Sequence, residues 1–211
     1  MDGLFRDNIK FIYFDFDNVL AKRSLNRASY FAKQLGLNDP KDFRDYYVSG
    51  FMKDEILKAQ YIAIQNIDEE IIFYETLFKK YLDIHNISVD ESDLGKITSQ
   101  FINTSFDVSQ ATKSNLSVLS EKYELGILTN GFPSRHAQIE NSGIEHLFKI
   151  IIVSSDYGTE KPKLEIYKIA ADKAGIKADN IALVDDDQKN ITGAIDYGFG
   201  QAILFTDSFW S

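Results

Sequence analysis

Two aspartates, Asp15 and Asp17, stand two residues apart at the end of the apolar run Phe11–Phe14. The run is rich in aromatic and β-branched residues, which is typical of a strand buried on both faces. Side chains alternate along a strand, so both carboxylates would lie on the same side if the strand simply continued. Like charges beside an apolar strand repel each other and lose hydration. A bound cation or a catalytic task would offset this repulsion and loss of hydration. The alternative is a strand that ends at a polar turn with both aspartates solvated.

Two later apolar runs also end in polar residues. Leu125–Leu128 is followed by Thr129-Asn130-Gly131, and Ile181–Val184 is followed by Asp185-Asp186-Asp187. In parallel α/β sheets the ligands bind at the carboxyl ends of the strands. We therefore expect the three polar strand ends to lie close together.

The residue types at these strand ends favour phosphoryl transfer. Asp15, Asp17 and at least one carboxylate of the triplet 185–187 are hard oxygen ligands that suit Mg²⁺. Thr129 and the main-chain N–H groups of Asn130 and Gly131 could donate to an anion. Lys161, just before a predicted helix, adds a positive charge. A metal, a lysine and amide donors around a carboxylate nucleophile predict a reaction through an aspartyl-phosphate.

The elements that must position these residues alternate between strand and helix from Leu125 onward. Predicted helices begin at Pro133 and Pro162, and Gly143 and Gly175 end them. Five strands are predicted: Phe11–Phe14, Leu125–Leu128, Lys149–Val153, Ile181–Val184 and Ala202–Phe205. This alternation predicts an α/β fold with a Rossmann-like parallel sheet and helices on both faces.

A long stretch of helical periodicity separates the first strand from the other four. Gly36 is predicted to end one helix, Pro40 to begin the next, and Asp68 to cap a third. Ile56, Ala59 and Ala63 form one apolar stripe, beside a second of Leu57, Tyr61 and Ile64. We expect residues 1–20 and 110–211 to form the α/β core domain and residues 21–109 to form an inserted helical domain.

The bulk properties exclude several classes of protein. A formal net charge of −9 and a pI near 4.8 argue against a nucleic-acid-binding surface. The chain has no cysteine, so disulfides, thiolate metal sites and cysteine nucleophiles are excluded. No signal peptide is visible, and the longest aliphatic run, 150–153, is too short for a bilayer. We expect a cytoplasmic protein without a membrane partner, and the sequence does not indicate its oligomeric state.

Four motifs in order resemble those of the haloacid dehalogenase (HAD) superfamily of phosphohydrolases. They are Asp15-Phe16-Asp17-Asn18-Val19-Leu20, Leu128-Thr129-Asn130-Gly131, Lys161-Pro162, and Val184-Asp185-Asp186 with Asn190. The resemblance covers most of the predicted α/β core. The helical insertion after the first motif resembles the α-helical C1 cap of that superfamily, which implies a cap over residues 21–109.

The resemblance implies a role for each motif residue. Asp15 would be the nucleophile, and Asp17 the general acid and then the base, with its main-chain carbonyl on Mg²⁺. Thr129 would bind the phosphoryl group together with Asn130 and Gly131, and Lys161 would neutralise its charge. Asp186 would be the main metal ligand of the fourth motif, with Asp185 and Asn190 as further or water-mediated partners.

Two positions depart from the pattern of the superfamily. Asn18 stands where glycine is most often found, and Asp185-Asp186 stands where Gly-Asp is frequent. Asn tolerates the left-handed conformation, so the tight turn can persist. The double aspartate leaves open which carboxylate contacts the metal. Asp187 is expected to be a surface residue or a helix cap, and Arg135 lies either at the mouth of the site or on a solvated helix face.

These observations predict a Mg²⁺-dependent phosphomonoesterase whose partner is a small-molecule phosphate ester, such as a sugar phosphate or a nucleoside monophosphate. A phosphomutase would use the same residues, and a catalytically silent binding protein could share the fold. A 2-haloacid dehalogenase is a further alternative, but the resemblance implies that such enzymes lack a carboxylate at the position of Asp17.

Overall fold

The computed structural model describes residues 3–206 and 209–210. Its strands are β1 Phe11–Phe14, β2 Lys22–Arg23, β3 Phe106–Asp107, β4 Glu124–Thr129, β5 Ile150–Val153, β6 Ile181–Asp185 and β7 Gln201–Leu204. Its helices are α1 Arg27–Leu35, α2 Pro40–Val48, α3 Glu55–Ala63, α4 Ile67–Ile84, α5 Glu91–Ile102, α6 Gln110–Ser120, α7 Ser134–Asn141, α8 Leu164–Ala174 and α9 Gln188–Tyr197. Within residues 3–206 and 209–210, no helix is both long and apolar enough to cross a membrane.

The five longer strands form a parallel sheet in the order β5-β4-β1-β6-β7. Phe14, the last residue of β1, pairs with Ile127 of β4 and with Val184 of β6. The carboxyl ends of β4, β1 and β6 are therefore neighbours at one edge of the sheet. The predicted α/β class with a Rossmann-like parallel sheet is confirmed.

Alternating residues of β1 bury against opposite faces of this sheet. Ile12 and Phe14 belong to a core with residues of α6 and α7, whereas Phe11 and Tyr13 belong to a core with residues of α8 and α9. On the face that packs against α8 and α9, Gly126 of β4 lies against the rings of Phe11 and Tyr13. A Cβ atom there would come within 2.6 Å of Tyr13 and 2.7 Å of Phe11, so only glycine fits without displacing them.

The chain divides into two compact units. The first contains the chain up to Arg23, Phe106–Gly131, and the chain from Arg135 onward, which includes the five-stranded sheet. Its boundary lies at a short antiparallel ribbon, in which Lys22 and Arg23 of β2 pair with Asp107 and Phe106 of β3. The sequence did not predict this ribbon, because two residues are too few to show a strand period.

The second unit contains Ser24–Ser105 and Phe132–Ser134 and is built from α1 to α5. Aromatic residues dominate its buried core, among them Phe31, Phe43, Phe73, Phe78 and Phe101. Assigning residues 21–109 to a functional cap domain stays a proposal, because compactness alone does not give a unit its role.

Two of the three helix boundaries predicted in the second unit are confirmed. Gly36 ends α1 in the left-handed conformation, and Pro40 is the first residue of α2. The predicted cap of α4 was wrong: the side chain of Asn66 accepts from the N–H of Glu69 at 3.0 Å, and Asp68 lies within the first turn. Of the two apolar stripes on α3, the structure buries Leu57 and leaves Ile56 61% exposed.

Candidate active site

Three carboxylates meet at the carboxyl ends of β1 and β6. Asp15 directly follows β1, and its N–H donates to the carbonyl of Val184 at 2.9 Å, which continues the pairing of the two strands. Asp185 ends β6, and Asp186 follows it. Carboxylate oxygens of Asp15, Asp185 and Asp186 all lie within 4.8 Å of one another. Parallel pairing of the two strands thus brings together residues that are far apart in the chain.

Lys161 joins two of these carboxylates. Its Nζ lies 3.0 Å from Oδ1 of Asp15 and 2.5 Å from Oδ2 of Asp185, and its side chain is almost completely buried. Burial alone would lower the pKa of this ammonium group, but the adjacent charges of Asp15 and Asp185 outweigh burial and raise the pKa. Lys161 is therefore held in its charged form beside Asp15.

The two adjacent aspartates have different surroundings. Asp185 is fully buried, and its Oδ1 accepts from the N–H of Asp187 and from Nδ2 of Asn190, both at 2.9 Å. Asp186 is exposed, and its Oδ2 accepts from Nδ2 of Asn18 at 3.2 Å. The oxygens of Asp185 are thus largely occupied by protein donors, while those of Asp186 remain accessible.

The charge balance of this cluster fits a divalent cation. Burial raises the pKa of Asp185 and of Asp186, and the negative charge of Asp15 raises both further, although Lys161 acts against the shift at Asp185. One lysine thus leaves the negative charge of three carboxylates incompletely compensated. A donor set made only of hard oxygens suits Mg²⁺.

Asp17 lies apart from this cluster, with two arginines beside it. Its Oδ2 is 2.6 Å from Nη2 of Arg23 and 3.5 Å from Nη2 of Arg135. Both guanidinium groups stack on the ring of Phe106, at 4.7 and 4.9 Å from its centroid. Arg23 of β2 and Arg135 of α7 therefore give Asp17 a cationic neighbourhood.

Sequence reasoning missed Arg23 and left Arg135 open, either at the mouth of the site or on a solvated helix face. The structure buries Arg135 and places it beside Asp17. Arg23 carried no motif, and its position depends on the unpredicted ribbon. Only the spacing of Arg135, four residues after Gly131, offered a signal.

The residues that follow β4 are held by the neighbouring loops. The side chain of Asn130 makes two hydrogen bonds to the main chain of Lys161: Nδ2 donates to its carbonyl and Oδ1 accepts from its N–H, both at 2.9 Å. The N–H of Gly131 donates to Oγ of Ser154 at 3.0 Å. Asn130, predicted to bind substrate, thus has a side chain engaged in positioning Lys161, and Ser154 is a further residue that sequence reasoning missed.

The remaining residues singled out in the sequence lie at the end of β4 and at the start of α9. Thr129 is buried at the end of β4, two residues beyond Ile127, which pairs with Phe14 of β1. Asn190 contacts Asp185 from the first turns of α9. Asp187 caps α9, since its side chain accepts from the N–H of Lys189 at 2.8 Å.

Comparison with known proteins gives a family match over nearly the whole chain. The family model described as haloacid dehalogenase-like hydrolase matches residues 12–203. In sequence, the chain is 27% identical over 116 residues to the pyrimidine 5'-nucleotidase YjjG of Escherichia coli (strain K12), covering 52% of this chain and 52% of that relative. The match thus spans about half the length of the relative.

Two solved structures show the same fold at low identity. A HAD family enzyme from Bacteroides thetaiotaomicron, in complex with magnesium and inorganic phosphate, superposes with a TM-score of 0.65 at 19% identity, over 95% of both chains. The L-2-haloacid dehalogenase from Xanthobacter autotrophicus, with chloropropionic acid covalently bound, has a TM-score of 0.61 at 20% identity, over 92% of this chain and 76% of that chain. Proteins solved with different bound groups thus share the architecture.

Proposed function

We propose that this chain, which belongs to the haloacid dehalogenase-like hydrolases, is a Mg²⁺-dependent phosphomonoesterase that acts on a small metabolite through an aspartyl-phosphate. The observation that carries the proposal is the cluster in which Lys161 bridges Asp15 and Asp185 while Asp186 stays accessible. A carboxylate nucleophile, a buried cation and an accessible carboxylate for a metal are groups that suit phosphoryl transfer through an aspartyl-phosphate.

In the proposed reaction the residues of the chain act in two steps. A carboxylate oxygen of Asp15 attacks phosphorus, the bond from phosphorus to the leaving oxygen breaks, and Asp17 donates a proton to that oxygen. Asp17 then takes a proton from water, whose oxygen attacks the aspartyl-phosphate and regenerates Asp15 with release of inorganic phosphate. Lys161 stabilises the charge on the phosphoryl oxygens, and Thr129 donates to one of them.

The proposed ligands of Mg²⁺ are the carboxylates of Asp15 and Asp186 and the main-chain carbonyl of Asp17. When bound, the ion would neutralise charge on the phosphoryl group and on Asp15. Asp185 and Asn190 would support the site from outside the coordination shell, because the side chain of Asn190 donates to Asp185 and Asp185 in turn bonds to Lys161.

The proposed substrate is a phosphate ester of a small metabolite, with nucleoside monophosphates and sugar phosphates as the leading classes. The sequence relationship to a pyrimidine 5'-nucleotidase supports this choice. We further propose that residues 21–109 act as a cap that sets specificity, since the helical unit has its own core and supplies none of the clustered carboxylates.

The dehalogenase alternative is worth a direct measurement because a dehalogenase is among the structural neighbours. Asp17 disfavours this alternative, since an alkoxide leaving group needs a proton and a halide does not. Release of phosphate without halide release from 2-chloropropionate would exclude it. Formation of an isomeric phosphate ester would instead indicate the phosphomutase.

The test is hydrolysis of para-nitrophenyl phosphate, with Mg²⁺ or with a chelator, by the wild type and by Asp15→Asn. We expect activity only with Mg²⁺, and a loss of several orders of magnitude in kcat for Asp15→Asn, because the amide is not a nucleophile. Asp187→Asn is the matched control. It removes a carboxylate from the same edge of the sheet, while asparagine caps α9 equally well.

Two results would contradict the proposal. Undiminished turnover by Asp15→Asn would exclude Asp15 as nucleophile, and undiminished turnover in the chelator would exclude the metal. A metabolite panel assayed for phosphate release then identifies the substrate class.

A further inference from the structure

Asn18 adopts a backbone conformation that is unusual for a residue with a side chain. Its φ is 65°, in the left-handed region, and its N–H donates to the carbonyl of Ala21 at 2.8 Å, which closes the turn after Asp17. Asn86, after α4, is the other non-glycine residue with positive φ in residues 3–206 and 209–210. The turn therefore accepts Asn, but glycine would adopt the same conformation more easily.

The side chain of Asn18 contacts the accessible carboxylate of the cluster. Its Nδ2 donates to Oδ2 of Asp186 at 3.2 Å. Asp185, by contrast, is bonded by Lys161, Asn190 and the N–H of Asp187. Among the residues that the structure describes, Asn18 is the one side chain that donates to Asp186.

This contact acts against the forces that would displace Asp186. The like charges of Asp15 and Asp185 repel its carboxylate, and an exposed aspartate with no partner is free to change rotamer. A neutral amide stabilises the charged carboxylate without adding a cation that would compete with a metal. One carboxylate oxygen can accept from the amide and still bind a metal ion, because it has two lone pairs.

We propose that Asn18 is a positioning residue that holds the Asp186 carboxylate ready to bind a divalent cation. This inference rests on the proposed function, in which Asp186 is a Mg²⁺ ligand. Glycine at this position would keep the turn and lose the contact, so the role belongs to the side chain of Asn18 and not to its backbone.

The experiment compares Asn18→Gly with the wild type by calorimetric titration of the full chain with Mg²⁺, in the absence of substrate. We expect Asn18→Gly to raise the Kd by about 3- to 30-fold, the range set by losing one hydrogen bond and by losing a partner of a metal ligand. The Mg²⁺ concentration that gives half-maximal hydrolysis should rise by the same factor.

Asn86→Gly is the matched control. It also replaces a left-handed asparagine by glycine, but it lies in the helical unit and outside the cluster. We expect its Kd for Mg²⁺ to stay within a factor of about two of the wild-type value. The difference between the two variants isolates the side-chain contact from the change in backbone preference.

The single tryptophan of the chain offers a second measurement. Nε1 of Trp210 donates to the carbonyl of Val19 at 3.3 Å, next to Asn18. An unchanged fluorescence spectrum of Asn18→Gly without metal would show that the turn is intact.

Equal Mg²⁺ affinity of Asn18→Gly and the wild type would overturn the inference, as would an equal loss in Asn86→Gly. Either result would leave the proposed function standing if the wild type binds Mg²⁺ and hydrolyses the aryl phosphate. Failure of the wild type to bind Mg²⁺ would overturn both.

Discussion

Asp185 and Asp186 are adjacent in sequence and opposite in environment. Asp185 is buried and bonded by Lys161, Asn190 and the N–H of Asp187. Asp186 is exposed and receives one side-chain hydrogen bond. Residue type alone does not separate the two aspartates, so the division between a buried and an accessible carboxylate comes from the fold.

We therefore predict that truncating Asp185 mainly lowers stability, whereas truncating Asp186 mainly removes Mg²⁺ binding. Asp185→Ala should lower the free energy of unfolding by about 3–5 kcal/mol, because it removes one partner of a buried ion pair. Asp186→Ala should lower it by less than about 1 kcal/mol, since the residue is exposed, but should abolish Mg²⁺ binding. Urea unfolding and calorimetric titration measure the two effects, and equal losses of stability would contradict the assignment.

The surroundings of Asp17 likewise depend on the fold and not on its position in the sequence. The sequence places its carboxylate at the end of β1, but the arginines that contact it come from the ribbon and from α7. Neither contact follows from spacing along the chain.

At the scale of elements, helix α9 is fitted closely against the segment that carries Lys161. Gly193 lies in the middle of α9, where a Cβ atom would come 2.7 Å from the carbonyl oxygen of Pro162 and 2.9 Å from the ring of Tyr167. Because Pro162 follows Lys161, the absence of a side chain at Gly193 helps to set the position of the lysine.

We predict that Gly193→Ala lowers both stability and activity. Alanine favours a helix over glycine by about 1 kcal/mol, but the clash with Pro162 should outweigh this gain. Displacement of Lys161 should reduce kcat/KM for para-nitrophenyl phosphate by roughly tenfold or more, since misplaced catalytic groups have large effects.

Gly95→Ala is the control for this prediction. Gly95 lies within α5, and a Cβ atom there would have no neighbour within 4 Å. This variant should therefore gain about 0.5–1 kcal/mol and keep its activity. Thermal unfolding of the pair tests the claim, and a more stable, fully active Gly193→Ala would refute it.

The sequence predicted elements well where a signal is local and strong. Gly36 and Pro40 mark helix ends through their own backbone preferences. The start of α4 was misplaced because Asn66 and Asp68 are both good caps and only the path of the chain decides between them.

At the scale of the whole molecule, each compact unit has a core of its own. The proposed metal site belongs entirely to the α/β unit, because Asp15, Asp186 and Lys161 all fall within its segments. A ligand at this site therefore stabilises the folded state of the unit that contains it.

We predict that Mg²⁺ raises the Tm of the wild type and that a chelator reverses the effect. At a concentration one hundred times the Kd, binding contributes about 2.7 kcal/mol, which corresponds to roughly 5–10 °C for a chain of this size. Asp186→Ala should show no shift. An equal shift in that variant would indicate that the cation stabilises the protein elsewhere.

The sequence by itself determined the fold class and the positions of the clustered carboxylates. Both depend on local patterns: apolar runs at the period of strands, helices between them, and polar residues where each run ends. Parallel pairing then obliges the ends of β1, β4 and β6 to meet, so Asp15 was expected beside the triplet 185–187. The structure groups Asp15 with Asp185 and Asp186, whereas the carboxylate of Asp17, expected in the same group, contacts two arginines instead.

Only the tertiary structure decided which side chains hold these groups in place. Asn18 and Asp186 are 168 positions apart, and Asn130 and Lys161 are 31 apart. A hydrogen bond forms wherever packing brings a donor and an acceptor within reach. The hydrophobic periodicity of the sequence does not indicate which distant residues come within that distance. The candidate site residues are therefore predictable from where strands end, whereas their supporting contacts follow from how the strands and loops pack.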